Sequence, residues 1–315
     1  MNKLAVTIAD QNFSLRLKNP VITASGTFGY GLEFAPYGDL RKLGALVVKG
    51  LSLEPREGNP MPRVAETPSG MLNAVGLQNC GVEDFLRHKL PLLPSADVPV
   101  IVNLYATSGD DFASLAGILG AEPSIAALEV NISCPNVREG GAAFGQDPFS
   151  AAAVTETVRK NAGKKPVIVK LSPNVTDITE IARACEAAGA TAISCINTLS
   201  GMAVDLAGRK PRLANILGGL SGPAVKPVAL RCVWEVSRTV SIPVIGIGGI
   251  SCAEDVLEFI LVGATAVQIG TANLMQPDSA FQIIQNLPAA CEKYGVTNWG
   301  DLRGKLATEP AASAF

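Results

Sequence analysis

Apolar residues recur along the chain in eight short, β-branched runs separated by stretches of helical spacing: Val21–Ser25, Ala45–Gly50, Val98–Leu104, Ile125–Ile132, Val167–Leu171, Thr191–Ile196, Pro243–Gly246 and Thr265–Gly270. Near-continuous apolar character predicts strands buried on both faces, and alternation with helices predicts that they pair in parallel. Eight such units predict an α/β fold of the (β/α)8 kind, a TIM barrel. A faint repeat agrees: Gly189-Ala190-Thr191-Ala192 and Gly263-Ala264-Thr265-Ala266 each close a helical stretch and open a strand, with the glycine placed as a helix C′ residue. At the start of the chain, Leu4, Val6 and Ile8, then Phe13, Leu15 and Leu17, alternate with polar residues, which predicts a small hairpin and not a signal peptide. The expected layout is therefore one domain over 1–315, with the hairpin in 1–18, the barrel in 19–290 and a C-terminal helix or tail in 291–315.

Three connections are too long for plain strand-to-helix turns: about Leu51 to Asn79, Ser133 to Pro148, and Asn197 to Val225. All follow the C-terminal ends of predicted strands, the side of such a barrel that carries chemistry. A doubly wound dinucleotide fold is the architectural rival, but it requires an early G-x-G-x-x-G. The first strand here ends Ala24-Ser25-Gly26-Thr27-Phe28-Gly29, which lacks that spacing.

Composition narrows the function classes. Hydrophobic residues make up 48% of the 315 and aromatic residues 5%, which suits a core of Val, Ile, Leu and Ala. A net charge near −2 without any Lys/Arg block gives nucleic acid no electrostatic hold. With no apolar run of about 18 residues or more, no membrane span is expected, and the cytoplasm is the expected location. Seven cysteines without a C-x-x-C pair predict free thiols in a reducing compartment, with neither a disulfide framework nor a metal site on this chain.

The predicted strand ends bring polar groups to one mouth: Ser25, Lys49-Gly50, Asn103, Asn131, Lys170, Asn197-Thr198, Gly248-Gly249 and Gly270-Thr271. A strand-end lysine can snorkel to water and a strand-end asparagine can satisfy a turn, but two lysines and three asparagines together predict an anionic ligand, because a desolvated ammonium needs a counter-charge. Glycine pairs after the last two strands let backbone N–H groups approach a phosphate, although glycine also serves simple strand-to-helix turns. The loop Asn73-Ala74-Val75-Gly76-Leu77-Gln78-Asn79 adds amides, which offer donors and acceptors to a heterocycle. After the fourth strand, Asn131-Ile132-Ser133-Cys134-Pro135-Asn136 sets a thiol among hydrogen-bonding groups. Pro135 keeps residue 134 out of the helical region, and Arg138, Glu139, Gly140 and Gly141 keep the chain in a loop. Cys134 is thus the candidate proton carrier, whereas Cys185, Cys195 and Cys232 lie in apolar stretches and Cys252 reads as structural. His88, the sole histidine, sits between Arg87 and Lys89 and reads as a solvated surface residue.

Taken together, these motifs, with Ile196-Asn197-Thr198 and Gly218-Gly219-Leu220-Ser221-Gly222, make the chain resemble the soluble class 1 dihydroorotate dehydrogenases from about Pro20 to Asn273. The wording of the Cys134 and Asn73 segments is most similar to the catalytic subunit of the NAD-linked class 1B enzymes. Cys80 departs from the family pattern, where proline usually precedes the glycine. The resemblance implies an FMN across the barrel mouth, contacted by Ser25, Lys49, Gly50, Asn103, Asn131, Lys170, Ile196, Gly222, Gly248, Gly249, Gly270 and Thr271. It also implies that Lys49, Asn73, Ala74, Val75, Gly76, Leu77, Asn131, Asn136, Asn197 and Thr198 surround dihydroorotate or orotate. Cys134 would be the base that takes the C5 proton while the C6 hydride goes to the flavin. Electrons would pass to NAD+ through a partner subunit carrying FAD and a [2Fe–2S] cluster, in a heterotetramer of two catalytic and two electron-transfer subunits.

Other readings stay open at this level. They are a fumarate-linked class 1A enzyme, a flavoprotein similar to dihydropyrimidine dehydrogenase, and, from another class, a flavin-free phosphate-ligand barrel acting as aldolase, isomerase or binding module.

Overall fold

A computed structural model describes residues 4–133 and 144–308. Sixteen strands are present among them: β1 (Val6–Ala9), β2 (Ser14–Leu17), β3 (Val21–Thr23), β4 (Leu46–Leu51), β5 (Val64–Thr67), β6 (Gly70–Asn73), β7 (Val100–Leu104), β8 (Ala127–Asn131), β9 (Val167–Leu171), β10 (Ala192–Cys195), β11 (Leu199–Met202), β12 (Val204–Asp205), β13 (Lys210–Pro211), β14 (Leu217–Ser221), β15 (Val244–Ile247) and β16 (Ala266–Ile269). Eight of these form one parallel sheet in the order β3-β16-β15-β10-β9-β8-β7-β4. They coincide with the eight apolar runs. The ends of the sheet meet through a parallel bridge between Ile22 and Ala45 and a Gly44 N–H bond to the Val21 carbonyl (2.8 Å). Thr23 completes the seam from its side chain: Oγ1 donates to the Val47 carbonyl (3.1 Å) and accepts the Val47 N–H (2.9 Å). The result is a closed (β/α)8 barrel.

Two packed regions follow from strands that are apolar on both faces. Outward-facing residues such as Val48, Val102, Val130 and Val169 join the helices in one large core. Inward-facing Ile22, Val47, Ile101, Ile168 and Ile245, with the small Ala45, Ala127, Ala192 and Ala266, fill the N-terminal end of the barrel. The β1–β2 hairpin plugs that end with Val6, Ile8, Leu15 and Leu17, all buried. Alternation in the sequence is thus read out as one face on the barrel and one in solvent.

Helices start and stop where their side chains provide caps. Ser108, Asp147 and Asp177 each accept a backbone N–H from the first turn of the following helix, at 3.1, 2.7 and 2.8 Å. Gly189 (φ 93°) and Gly263 (φ 122°) take the left-handed position just past helices Ile178–Ala187 and Ala253–Leu261.

The long connections hold structure that periodicity does not predict. Residues from Leu51 to Asn79 contribute β5 and β6, those from Asn197 to Val225 contribute β11 to β14, and the two connections pair into one antiparallel sheet ordered β11-β14-β6-β5. No helix among the described residues is long and apolar enough to cross a membrane.

Candidate active site

At the C-terminal end of the barrel, under the four-stranded sheet, lies a cavity of ≈ 480 Å³ lined from both. Lys49 and Gly50 reach it through a bulge. Val48 pairs with Val102 but Leu51 pairs with Leu104, so two residues of β4 stand opposite the single Asn103 of β7. That extra residue turns both Lys49 and Gly50 onto the cavity wall. Burial, reinforced by the charge of Arg63, lowers the Lys49 pKa from its ordinary value. Lys170, at the end of β9, is only 6% exposed and also lines the cavity. Neither lysine has a carboxylate partner among the described residues. The two cations therefore leave room for a negatively charged guest.

Three amides around the cavity are already committed at one end. Asn131 Oδ1 accepts the Ser133 N–H (3.1 Å) and Asn197 Oδ1 accepts the Thr198 N–H (2.8 Å), so each keeps its N–H groups for a ligand. Asn73 is the converse: its Nδ2 donates to the Gly219 carbonyl (3.4 Å), which keeps its oxygen available. Donors and acceptors on one wall match a ring that alternates C=O and N–H. Ser133 Oγ donates to the Lys170 carbonyl (2.6 Å), tying the ends of β8 and β9 together.

On the other side, Gly248 (φ 128°) and Gly249 (φ 76°) follow β15 in backbone conformations that L side chains rarely adopt. A Cβ on Gly249 would lie 2.8 Å from the Lys226 backbone nitrogen. Asp255 anchors this loop, accepting from Ser251 N–H (2.7 Å), Ser251 Oγ (3.0 Å) and Cys252 N–H (3.1 Å) while pairing with Lys226 (2.6 Å). Burial alone would raise the Asp255 pKa, but the bonds from Lys226 and Ser251 prevail and hold it below the ordinary carboxylate value. From β16, Gly270 and Thr271 line the same region, and Thr271 Oγ1 donates to Ser221 Oγ in the roof (2.8 Å).

Most residues implied for flavin and substrate therefore share one cavity: Ser25, Lys49, Gly50, Asn131, Lys170, Ile196, Gly222, Gly248, Gly249, Gly270 and Thr271 on one count, and Asn73, Val75, Gly76, Leu77, Asn197 and Thr198 on the other. Two do not line it. Ala74 is buried in the small core built on the roof sheet, because it alternates with Asn73 and Val75, which face the cavity. Asn103 is fully buried behind Gly50, its Oδ1 2.8 Å from where a Cβ on Gly50 would stand. Cys134 and Asn136 lie outside the described residues. The other thiols are poor bases by position: burial pushes Cys185 up to about 11 and Cys195 well above the ordinary thiol value, and Cys252 caps the helix Ala253–Leu261. His88 is exposed and paired with Asp84 (2.8 Å).

Sequence reasoning missed the roof residues Val64 and Met71 and the rim residues Leu274 and Met275. No spacing signal marks them, because they belong to short strands or to the one-turn helix Ala272–Met275 after β16.

A profile of the family described as dihydroorotate dehydrogenase matches residues 4–290. Among curated relatives, the "Dihydroorotate dehydrogenase B (NAD(+)), catalytic subunit" of Solidesulfovibrio magneticus is 69% identical over 290 residues, covering 92% of this chain and 95% of the relative. Proteins of the same description from Maridesulfovibrio salexigens and Pelobacter propionicus are 63% and 59% identical over 292 residues, each covering 93% of this chain and 96% of the relative.

Proposed function

The chain belongs to the dihydroorotate dehydrogenase family, and from that premise we propose that it oxidises dihydroorotate to orotate in UMP biosynthesis, in the cytoplasm, as the catalytic subunit of an NAD+-linked enzyme. One observation carries the reading on the structural side. Two lysines, Lys49 half-buried and Lys170 buried, without carboxylate partners among the described residues, together with three amides and a glycine-rich loop, surround a single cavity at the barrel mouth. That donor set fits FMN. The Gly248-Gly249 and Gly270-Thr271 loops would hold its phosphate, and Lys170 and Asn131 would face its polar ring edge. The Asn103 Oδ1, buried with no hydrogen-bond partner among the described residues, offers a further acceptor.

Bound FMN would supply the acceptor for the hydride that leaves C6 of the substrate. The chain's own residues do the rest. Lys49 pairs with the substrate carboxylate, and the N–H groups of Asn131 and Asn197 with the oxygen of Asn73 fix the pyrimidine ring, so that reacting atoms meet in one orientation. Asn136 and Thr198 complete the ring of contacts. Cys134, as thiolate, takes the C5 proton as the C5=C6 double bond forms, and passes it to solvent. An ordinary thiol has a pKa of about 8.5, so the active thiolate fraction grows with pH across the neutral range. A partner subunit carrying FAD and a [2Fe–2S] cluster, in a two-plus-two heterotetramer, would supply the route by which the two electrons reach NAD+. The naming of these relatives as NAD(+)-linked catalytic subunits supports this route over fumarate-linked or uracil-type alternatives.

The test is the absorbance spectrum of the purified chain before and after anaerobic dihydroorotate. A flavin band that bleaches in the wild type, and about a hundredfold more slowly or worse in Cys134→Ser with flavin still bound, is the expected result for loss of a general base. A colourless protein, or a variant that bleaches at the wild-type rate, ends the reading.

A further inference from the structure

Glu129 of β8 is fully buried in the barrel interior and plays no part in the chemistry above. Its Oε1 accepts from Asn103 Nδ2 (2.8 Å), and its Oε2 accepts from Ser194 Oγ (3.0 Å) and Gln268 Nε2 (2.6 Å). Those partners sit on β7, β10 and β16, and β16 lies four strands from β8 in either direction around the barrel, so the network spans it. It also lies directly below the mouth. Asn131, Ile196 and Gly270, each two residues further along the same strands, line the cavity.

A carboxylate only accepts hydrogen bonds. Asn103 and Gln268 must therefore both turn their NH2 groups toward Glu129, which leaves Asn103 Oδ1 and Gln268 Oε1 without a partner among the described residues. A buried acceptor left so is expensive unless a ligand or water completes it. The Asn103 oxygen lies against Gly50, a cavity-lining residue with no side chain to stand between that oxygen and the cavity. We propose that Glu129 is a positioning residue for the flavin side of the site, locking Asn103 so that it presents an acceptor oxygen, and not an NH2 group, to a ligand N–H of the imide type. The proposal rests on the reading that FMN occupies this cavity.

The experiment measures FMN dissociation from the purified full chain by the rise in free-flavin fluorescence, alongside thermal unfolding. Asn103→Ala should release FMN with affinity lowered by about tenfold or more, the scale of one lost buried hydrogen bond. Asn103→Asp should stay within about threefold of wild type, because the two adjacent carboxyl groups share one proton and an acceptor oxygen still faces Gly50. Glu129→Gln, which lets the Asn103 amide turn over, should also weaken FMN by roughly tenfold, and the Glu129→Gln/Asn103→Ala double variant should be no weaker than the worse single one, as residues acting through each other are non-additive.

Asn103→Asp behaving like Asn103→Ala, or additive losses in the double variant, overturns the proposal. So does an Asn103→Ala variant that holds FMN like wild type. A wild-type chain that binds no FMN overturns instead the functional reading beneath it. If Glu129→Gln fails to fold, the Asn103→Ala and Asn103→Asp comparison decides alone, since both variants keep Glu129 itself in place.

Discussion

At the scale of the residue, Lys49 and Cys134 are expected to pull the pH response in opposite directions. Burial and the nearby Arg63 depress the Lys49 pKa, so the ammonium that holds an anionic substrate is present at low pH and is lost as pH rises through that lowered value. Orotate affinity should accordingly fall on the alkaline side at a lower pH than an exposed lysine, near 10.4, would dictate. The thiol acts the other way, since its basic form appears as pH rises. KM should climb with pH while the flavin-reduction step accelerates, and Lys49→Met should raise the orotate Kd by about tenfold or more and abolish the alkaline drift in binding. A Kd that drifts identically in Lys49→Met would place the titration elsewhere. Lys49 and Lys170 were legible in the sequence because charge at the end of an apolar run is conspicuous. Glu129 was not. It sits within such a run, and its meaning depends on Ser194 and Gln268, which sequence separation hides.

At the scale of the element, the hairpin and the barrel strands follow from polar–apolar patterning, because each buries a defined face against the sheet interior. The hairpin's role is a stability role. Ile8 is fully buried against the barrel floor, at the end opposite the cavity. Ile8→Ala should destabilise the fold by about 2–5 kcal/mol, the usual range for emptying a packed aliphatic site, with FMN release unchanged. Urea unfolding alongside flavin fluorescence separates the two effects, and a loss of flavin at constant stability would contradict this division of labour. The roof sheet is the counter-case. Its strands are short and glycine-rich, and Gly218, Gly219 and Gly222 break the alternation that reveals a strand. Its pairing joins β6 with β14, more than a hundred residues apart. A Cβ on Gly219 would run into Thr198 Oγ1 at 2.1 Å. That glycine is thus explained by close approach over the cavity, a reason visible only once both connections are in place.

At the scale of the whole molecule, the proposed reading gives the cavity to substrate and one flavin, and dihydroorotate oxidation there would still have to dispose of two electrons. Every residue assigned to that cavity comes from the barrel ends or its roof. The first strand runs into Ser25-Gly26-Thr27 without the glycine spacing that cradles a dinucleotide. Half-reactions should therefore separate cleanly. Dihydroorotate should reduce the flavin of the isolated chain in a single turnover, whereas steady NAD+ reduction should stay near background until an FAD and [2Fe–2S] partner is added, and then rise in proportion to complex formed. The measurement is NADH absorbance during titration of chain with partner, with fumarate as a parallel acceptor. Full NAD+ turnover by the chain alone would remove the need for a partner, and efficient fumarate turnover would move the chain to the other class 1 arrangement. Either result would leave the barrel, its two lysines and the amide ring in place, because in the proposed reading those residues hold the substrate and do not decide where its electrons go.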